Sequence, residues 1–280
     1  MQDCKPAPPD DTQPLRVLSA SRRTDLVSCY PDYFIEKLAE YPPEAVHSVV
    51  IWTKNPANML RPGPLREALG RYRQLYVHLT ITGLGGTMLE PGIPTWREAV
   101  EMVPGVVAFV GDARRVCWRF DPLLRVIAGG EELANLPLFP RLAEQVSRSG
   151  ITTCRTSWVE PYRKVQRRLD KKGITLQVYE PAERIETAGW LQKKAAPLGL
   201  KIQYCSMEGF ARSRCIDGRL LAELHPDGLA CSQRRAKSQR KLCGCTESID
   251  IGWYSQKCPN GCLYCYAEPV VKQGFLPFGS

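Results

Sequence analysis

The chain has 280 residues, of which 44% are hydrophobic and 24% are charged. This length allows one large domain or two small ones, and the composition excludes a coiled coil, a collagen-like chain and a wholly disordered chain. Lysine and arginine number 38 against 29 acidic residues, so the net charge is +9. No segment approaches the roughly 18 apolar residues that a membrane-spanning helix requires, so we expect no membrane partner.

Residues 1–14 are polar and rich in proline, and they lack the apolar core of a secretory signal. We expect them to form a disordered extension of a cytoplasmic protein. A reducing compartment disfavours disulfides, so clustered cysteines in such a chain indicate metal or iron–sulfur ligands. The 12 cysteines are therefore especially informative.

Short β-branched or aromatic runs alternate with amphipathic stretches. The predicted strands are Leu15–Ala20, Ser48–Thr53, Leu75–Thr82, Val116–Phe120, Ile151–Ser157 and Lys201–Cys205. The predicted helices are Pro31–Ala39, Thr95–Met102, Phe139–Arg148, Pro161–Asp170 and Ala182–Ala196, with Val103–Val110 ambiguous. This alternation predicts an α/β fold, a partial or closed parallel TIM-like barrel of about six units over residues 15–206. A cysteine-rich segment, residues 207–280, is expected to complete the barrel face.

Polar residues concentrate where the predicted strands end. Ser19 and Ser21 close the first strand, Lys54 follows the second, and Arg119 lies at the end of the fourth. In β/α barrels the carboxyl ends of the strands form the active-site face, which favours a functional role for these residues. The alternative is that each one caps a helix or is solvated in a loop.

Five cysteines and the three histidines are scattered singly. We interpret these cysteines as small buried apolar residues or incidental thiols, and we assign the histidines no catalytic role. These residues are Cys4, Cys29, Cys117, Cys154, Cys231, His47, His78 and His225.

The segment from Cys258 to Cys265 reads C-P-N-G-C-L-Y-C. Three thiolates on one short loop, with Cys262 as the middle one, can hold three corners of a cubane iron–sulfur cluster. They leave one corner open for another ligand. Zinc also takes sulfur ligands, but its structural sites more often use C-x2-C pairs and four protein ligands.

Four further cysteines lie between the predicted barrel and this loop, namely Cys205, Cys215, Cys243 and Cys245. Four thiolates are the usual complement of a fully protein-ligated cluster or of a zinc site. The sequence therefore predicts a second, closed metal centre, and it leaves open whether the metal is iron–sulfur or zinc.

Several motifs together resemble the bacterial domain-of-unknown-function family 1848. They are Ser19–Asp25 (SASRRTD), Trp52–Pro56 (WTKNP), Arg119–Pro122 (RFDP) and the block CGC-TES-IDIGWY-SQ-CPNGC-LYCYA near the C-terminus. The resemblance runs from about Leu15 to Ala267, nearly the whole chain.

That family is similar to radical S-adenosylmethionine enzymes, particularly the spore photoproduct lyase group. In that group C-x3-C-x2-C comes early in the chain, whereas here it comes last. Later landmarks of the group follow from the N-terminus onward: Thr53 with Lys54, then LEPGIPTWR at 89–97, then RFDP at 119–122. The resemblance thus implies a circular permutation of the barrel, which closely spaced termini allow.

The resemblance also implies site residues. Cys258, Cys262 and Cys265 would hold a [4Fe–4S] cluster whose fourth iron binds the amino and carboxylate groups of S-adenosylmethionine. Tyr264 would lie near the adenine and Lys54 would contact the cofactor; Ser19, Ser21 and Arg119 are candidates for the same pocket. The Gly-Gly-Glu element of such enzymes is not evident, and no catalytic residue is assigned.

The function implied is formation of a 5′-deoxyadenosyl radical that abstracts hydrogen from an unknown substrate, with a reductant such as ferredoxin or flavodoxin. The alternatives are an iron–sulfur electron carrier or sensor, and a zinc-stabilised nucleic-acid-binding protein. Basic residues are concentrated in Arg234–Lys241 and at Arg163, Lys164, Arg167, Arg168, Lys171 and Lys172. They suit nucleic acid or another phosphate-rich partner, although such runs are usually solvated faces.

Overall fold

The computed structural model describes residues 15–237, 239–252 and 255–271, so the predicted extension 1–14 and Cys4 lie outside the described residues. The strands are Arg16–Ala20 (β1), Val46–Thr53 (β2), Leu75–Thr80 (β3), Val116–Arg119 (β4), Arg125–Ala128 (β5), Glu131–Ala134 (β6), Thr153–Thr156 (β7), Ile174–Leu176 (β8), Lys201–Tyr204 (β9), Ile249–Asp250 (β10), Lys257–Cys258 (β11) and Glu268–Pro269 (β12). The α-helices are Leu26–Cys29 (α1), Pro31–Ala39 (α2), Ala57–Leu60 (α3), Pro64–Gly70 (α4), Trp96–Glu101 (α5), Val103–Val110 (α6), Phe139–Ser147 (α7), Arg163–Asp170 (α8), Pro181–Ala195 (α9) and Gly218–Leu224 (α10).

A parallel sheet of seven strands forms the centre of the molecule, in the order β10-β1-β2-β3-β4-β7-β9. Six of these strands match the predicted ones to within two residues at each end. The seventh, β10, escaped prediction because two residues show no periodicity. Among the described residues the edge strands β9 and β10 do not pair with each other. The partial barrel is therefore confirmed and the closed alternative is wrong, because the sheet is open between its two edge strands.

The two faces of the sheet bury different sets of side chains, because successive residues of a strand point to opposite faces. One face, with Leu18, Val77 and Trp118 at its centre, packs against the helices in the largest hydrophobic cluster. The other face carries Trp52 and Cys117 and packs against residues from the segment 215–245. The segment 215–245, which includes α10, thus covers the face of the sheet opposite to the largest hydrophobic cluster. The predicted boundary between 15–206 and 207–280 stays a prediction.

All five predicted helices form to within two residues at each end. The ambiguous segment Val103–Val110 is also a helix, because Pro104 lies in its first turn, where a backbone N–H is not needed. Gly111 ends this helix with φ of +80°. No helix among the described residues combines the length and apolar character that crossing a bilayer requires.

A small antiparallel sheet of β6, β5 and β8, which the sequence pattern did not predict, lies outside the parallel sheet. Val126 and Ile174 of this sheet are buried in the same cluster as Leu263 and Tyr264 of the C-terminal segment. The small sheet and α8 thereby form an apolar wall against which residues 262–264 pack.

His47 and His225 are both buried, and their ring centroids lie 4.5 Å apart. Burial lowers the pKa of His47, and burial together with the neighbouring His47 lowers the pKa of His225 although Asp227 opposes this. A histidine with a lowered pKa in the fold binds fewer protons than in the unfolded chain. This pair therefore favours the folded state above the unfolded pKa and opposes it below.

We expect the free energy of unfolding to fall as the pH drops below about 6.5, the ordinary pKa of histidine. Each of the two histidines should contribute up to roughly 1 kcal/mol per pH unit. Urea unfolding at pH 7.5 and 5.5 measures this loss, which should be smaller in His225→Gln. The variant Glu101→Gln, on the exposed face of α5, serves as the control. An equal loss in His225→Gln and the wild type would contradict this assignment.

Candidate functional site

The residues from Cys258 to Cys265, called the cysteine loop below, fold back on themselves at the carboxyl edge of the sheet. Gly261 has φ of +69°, a left-handed conformation that allows the reversal. The N–H of Cys265 donates to the carbonyl of Cys262 at 3.1 Å, which closes the second half of the loop. The segment with the C-x3-C-x2-C spacing therefore forms one compact turn.

The three thiols of this loop lie within electrostatic reach of one another. Cys258 and Cys262 are buried and Cys265 is partly buried. Burial raises the pKa of Cys262 well above its ordinary value and also raises the pKa of Cys265. Cys262 and Cys265 are therefore poor acids as protein thiols, and a thiophilic metal would be needed to hold them as thiolates.

A single zinc ion and an iron–sulfur cluster require different arrangements of their thiolate ligands. In the described part of the chain, no three His, Cys, Asp or Glu side chains converge as ligands of one metal ion do. A tetrahedral zinc site requires such convergence, whereas a cubane binds each thiolate through a different iron. Cys258, Cys262 and Cys265 offer the three thiolate ligands that an iron–sulfur cluster would take, one on each of three irons.

Arg168 of α8 holds the second half of the cysteine loop. Its Nη1 donates to the carbonyls of Leu263 and Cys265, each at 2.8 Å. Arg168 was predicted to belong to a basic surface, but its side chain is turned inward. The other five cationic residues of that stretch are exposed: Arg163, Lys164, Arg167, Lys171 and Lys172.

The second basic stretch is also partly engaged in internal contacts. Arg235 donates to the carbonyls of Lys241 and Cys243 at 2.8 and 3.1 Å, and Arg234 pairs with Glu247 at 2.9 Å. Binding of nucleic acid by these stretches stays a prediction.

A buried polar network joins Tyr264 of the loop to the ends of two strands. Lys54, after β2, donates from Nζ to Glu90 Oε1 at 2.8 Å and to the Tyr264 hydroxyl at 3.0 Å. Tyr264 and Thr82 also donate to Glu90 Oε1, the latter at 2.7 Å. Glu90 is 1% exposed, so its charge depends on Lys54 for compensation. Burial alone would lower the pKa of Lys54, but Glu90 and the Cys262 thiol raise it above its ordinary value.

Asp25 fixes the backbone at Lys54. Its Oδ2 accepts from the Lys54 N–H at 2.8 Å and from the Thr53 hydroxyl at 3.0 Å, while Oδ1 caps α1 through the Ser28 N–H. These bonds orient the lysine toward the cysteine loop. Burial nevertheless raises the pKa of Asp25.

Cys29, which the sequence analysis treated as an isolated thiol, lies beside the cysteine loop. It forms a side-chain hydrogen bond with Cys258, and its Sγ lies 3.4 Å from Asn260 Oδ1. This bond holds the pKa of Cys258 at about 7, below its ordinary value. The other described single cysteines, Cys117, Cys154 and Cys231, are buried as expected.

The remaining predicted pocket residues differ in whether their polar atoms have partners within the protein. Ser21 has φ of +51° and its Oγ accepts from the N–H groups of Arg23 and Thr24 at 3.3 and 3.2 Å, so this hydroxyl stabilises a turn. Arg119 pairs with Asp121. The Oγ of Ser19 is buried without a hydrogen-bond partner among the described residues, which marks a polar atom suited to a ligand.

The four remaining cysteines come together over the sheet. The Sγ atoms of Cys205 and Cys215 are 3.8 Å apart, and the Cys215 N–H donates to Cys245 Sγ at 3.2 Å. Cys245 also forms side-chain hydrogen bonds with Cys215 and Cys243. Bonds with Cys205 and Cys245 hold the pKa of Cys215 well below its ordinary value, and the bond with Cys245 lowers the pKa of Cys243 to about 6.

Sequence reasoning did not select Glu90, Asp25 or Cys29 as site residues. Glu90 lies in a loop beyond the end of β3, outside the strand ends that drew attention. The sequence did indicate Glu90, because this acidic residue lies between Leu89 and Pro91 in the motif LEPGIPTWR. Asp25 lies in the motif SASRRTD, which was also noted, whereas Cys29 gave no comparable signal, because its contacts Cys258 and Asn260 lie far along the chain.

The family model described as "Domain of unknown function (DUF1848)" matches residues 17–267, and the chain belongs to this family. A search of the curated proteins gives no match. Two crystal structures of Streptococcus suis SuiB, one of them bound to S-adenosylmethionine, are similar to this chain at 9% identity and a TM-score of 0.36. The alignments cover 69% of this chain and 49% and 50% of those chains, so this chain spans about half the length of SuiB.

The pairing of Lys54 with Glu90 should be visible as coupling in stability. Lys54→Met or Glu90→Gln alone leaves a partner without its compensating charge, and each should lower the free energy of unfolding by about 3–5 kcal/mol. The double variant should lose clearly less than the sum of the two. Urea unfolding of all four proteins measures this coupling.

The exposed pair Lys37 and Glu40 provides the matched control, because the same two substitutions there should change stability little. Additive losses at Lys54 and Glu90 would show that the two groups do not interact as described.

Proposed function

We propose that this protein is a radical S-adenosylmethionine enzyme. The observation that carries the proposal is the position of the cysteine loop, whose Tyr264 is hydrogen-bonded to Lys54 and Glu90 at the carboxyl edge of a parallel sheet. Three thiols can hold three irons of a cubane cluster and leave the fourth iron open to another ligand. The charges of the buried Lys54 and Glu90 beside the loop suit the carboxylate and amino groups of an amino acid cofactor. The resemblance to the spore photoproduct lyase group points the same way.

The order of the strands supports a circular permutation. β10 lies just before the cysteine loop and pairs in parallel with β1, at one edge of the sheet. Counted from this edge, the cysteine loop follows the first strand of the sheet, although it comes last in the chain. This is the arrangement expected when the early part of a barrel is moved to the C-terminus.

Lys54 and Glu90 have distinct proposed roles. Lys54 is a compact positive charge with three donors, and it would hold the carboxylate of S-adenosylmethionine. The three hydrogen bonds of the buried network all reach Oε1 of Glu90, so they do not use Oε2. We assign Glu90 Oε2 to the amino group of the cofactor, in place of the Gly-Gly-Glu element that the sequence lacks. The buried Ser19 hydroxyl would donate to the same ligand.

When bound, the cluster and cofactor supply reductive cleavage of the sulfonium carbon–sulfur bond, which releases methionine and a 5′-deoxyadenosyl radical that takes hydrogen from a substrate. The protein's own part is to orient and to exclude water. Tyr264 and Leu263 are buried against the small sheet, and Arg168 fixes the loop backbone. The electron would come from a ferredoxin- or flavodoxin-type reductant.

The test is production of 5′-deoxyadenosine. Protein purified without oxygen should be brown, and it should release 5′-deoxyadenosine and methionine when S-adenosylmethionine and dithionite are added. Cys262→Ala should abolish this product, because it removes a cluster ligand. Glu90→Gln should lower the rate by roughly 10–100-fold, the usual cost of losing a partner near a metal site.

Cys154→Ala is the matched control, since this thiol is equally buried but lies on the helix-covered face of the sheet. It should retain both colour and product. A brown protein that yields no 5′-deoxyadenosine would instead be an electron carrier or sensor. A colourless zinc protein, or full activity in Cys262→Ala, would remove the assignment.

A further inference from the structure

The four cysteines over the sheet form a continuous row, which we call the thiol row. Cys205 contacts Cys215, Cys215 contacts Cys245, and Cys245 contacts Cys243. The row joins three separate stretches of chain: the end of β9, the loop before α10, and the turn at 243–245. Nothing in the proposed cysteine-loop chemistry uses these thiols.

A buried arginine lies beside the row without a carboxylate partner. Arg155, on β7, is 2% exposed, and its Nε and Nη1 have no hydrogen-bond partner among the described residues. Its side chain is hydrogen-bonded to Tyr76 and Cys117, and its largest electrostatic partners are Cys117, Tyr76 and Cys215, none of which is a carboxylate.

Further polar atoms without partners lie close by on the same face of the sheet. Register places Arg155 between Arg119 and Gln203. Arg119 Nε and Gln203 Oε1 are buried and unpartnered among the described residues, as is Nδ1 of His78, whose Nε2 binds the Cys215 carbonyl at 2.7 Å. A buried guanidinium requires a negative charge nearby, and no carboxylate is among the largest electrostatic partners of Arg155.

We propose that Cys205, Cys215, Cys243 and Cys245 ligate a second iron–sulfur cluster, and that Arg155 is its buried counter-charge. A cluster held by four thiolates carries a net negative charge, so it would place an anionic group beside Arg155. The four thiols come from three separate stretches of chain, and four is the full ligand complement of a closed iron–sulfur cluster. The N–H groups of Cys215 and Ile216, at 3.2 and 3.5 Å from Cys245 Sγ, are donors of the kind that stabilise cluster sulfurs.

Four protein thiolates leave this cluster no open corner. It should therefore be insensitive to S-adenosylmethionine, unlike a cluster held by the cysteine loop. This difference makes the inference separable from the proposed function, because either cluster can be absent while the other is present.

The first experiment counts iron and sulfide in protein reconstituted without oxygen. The wild type should hold about eight irons, and the triple variant Cys258→Ala/Cys262→Ala/Cys265→Ala should keep about four with about four sulfides. The reduced triple variant should show an electron paramagnetic resonance signal that S-adenosylmethionine does not alter. Cys215→Ala and Cys245→Ala should each lose about four irons.

Cys231→Ala is the matched control, since Cys231 is buried in the same hydrophobic cluster as the row. It should keep the wild-type iron content. Iron absent from the triple variant, or one zinc ion lost on Cys215→Ala with iron unchanged, would overturn the proposal. The triple variant leaves the row intact, so this test holds even if Cys215→Ala does not fold.

The second experiment measures the midpoint potential of the insensitive cluster. In the triple variant carrying Arg155→Met the potential should become more negative, because a buried positive charge that favours the reduced cluster is lost. Arg155→Lys retains the charge and should stay close to the parent. A potential that is the same with methionine as with arginine would contradict the counter-charge role.

Discussion

The parallel pairing of β10 with β1 is the contact on which the position of the cysteine loop depends. Only two residues of β10 take part, Ile249 beside Leu18 and Asp250 beside Ser19, and the N–H of Ile251 then donates to the Ser19 carbonyl at 3.0 Å. In a parallel sheet all carboxyl strand ends meet at one edge. This short ladder therefore delivers the chain that follows it to the edge where Lys54 lies.

Buried charge is the second constraint. Glu90 and Lys54 compensate each other beneath the cysteine loop, whereas Arg155 faces sulfur atoms and has no carboxylate among its largest partners. Burying such groups opposes folding unless each one meets an opposite charge or a full set of hydrogen bonds. The thiol row lies on the face of the sheet that the segment 215–245 covers, whereas the opposite face carries the largest hydrophobic cluster.

Much of the fold followed from local pattern, because each of the six longer strands and five helices carries its own periodicity. The site was partly predictable for the same reason: Lys54 ends a strand, and the three cysteines share one loop. The contact between Cys29 and Cys258 could not be predicted, because the two residues are 229 positions apart and the local sequence does not indicate their hydrogen bond. Likewise, the small sheet and β10 are too short or too irregular to produce a readable alternation. Arg155 looked like an ordinary strand residue until its register was known.

The order of elements along the chain has a consequence for biosynthesis. The ribosome makes β1 to β9 before it makes β10 and the cysteine loop, so six neighbouring strands of the sheet can assemble while the last thiols are still being translated. The helix-covered core can therefore form before the cysteine loop has been translated. On the proposed function, metal would reach residues 258–265 late in synthesis, after β1 and β2, which position Ser19 and Lys54, have been made.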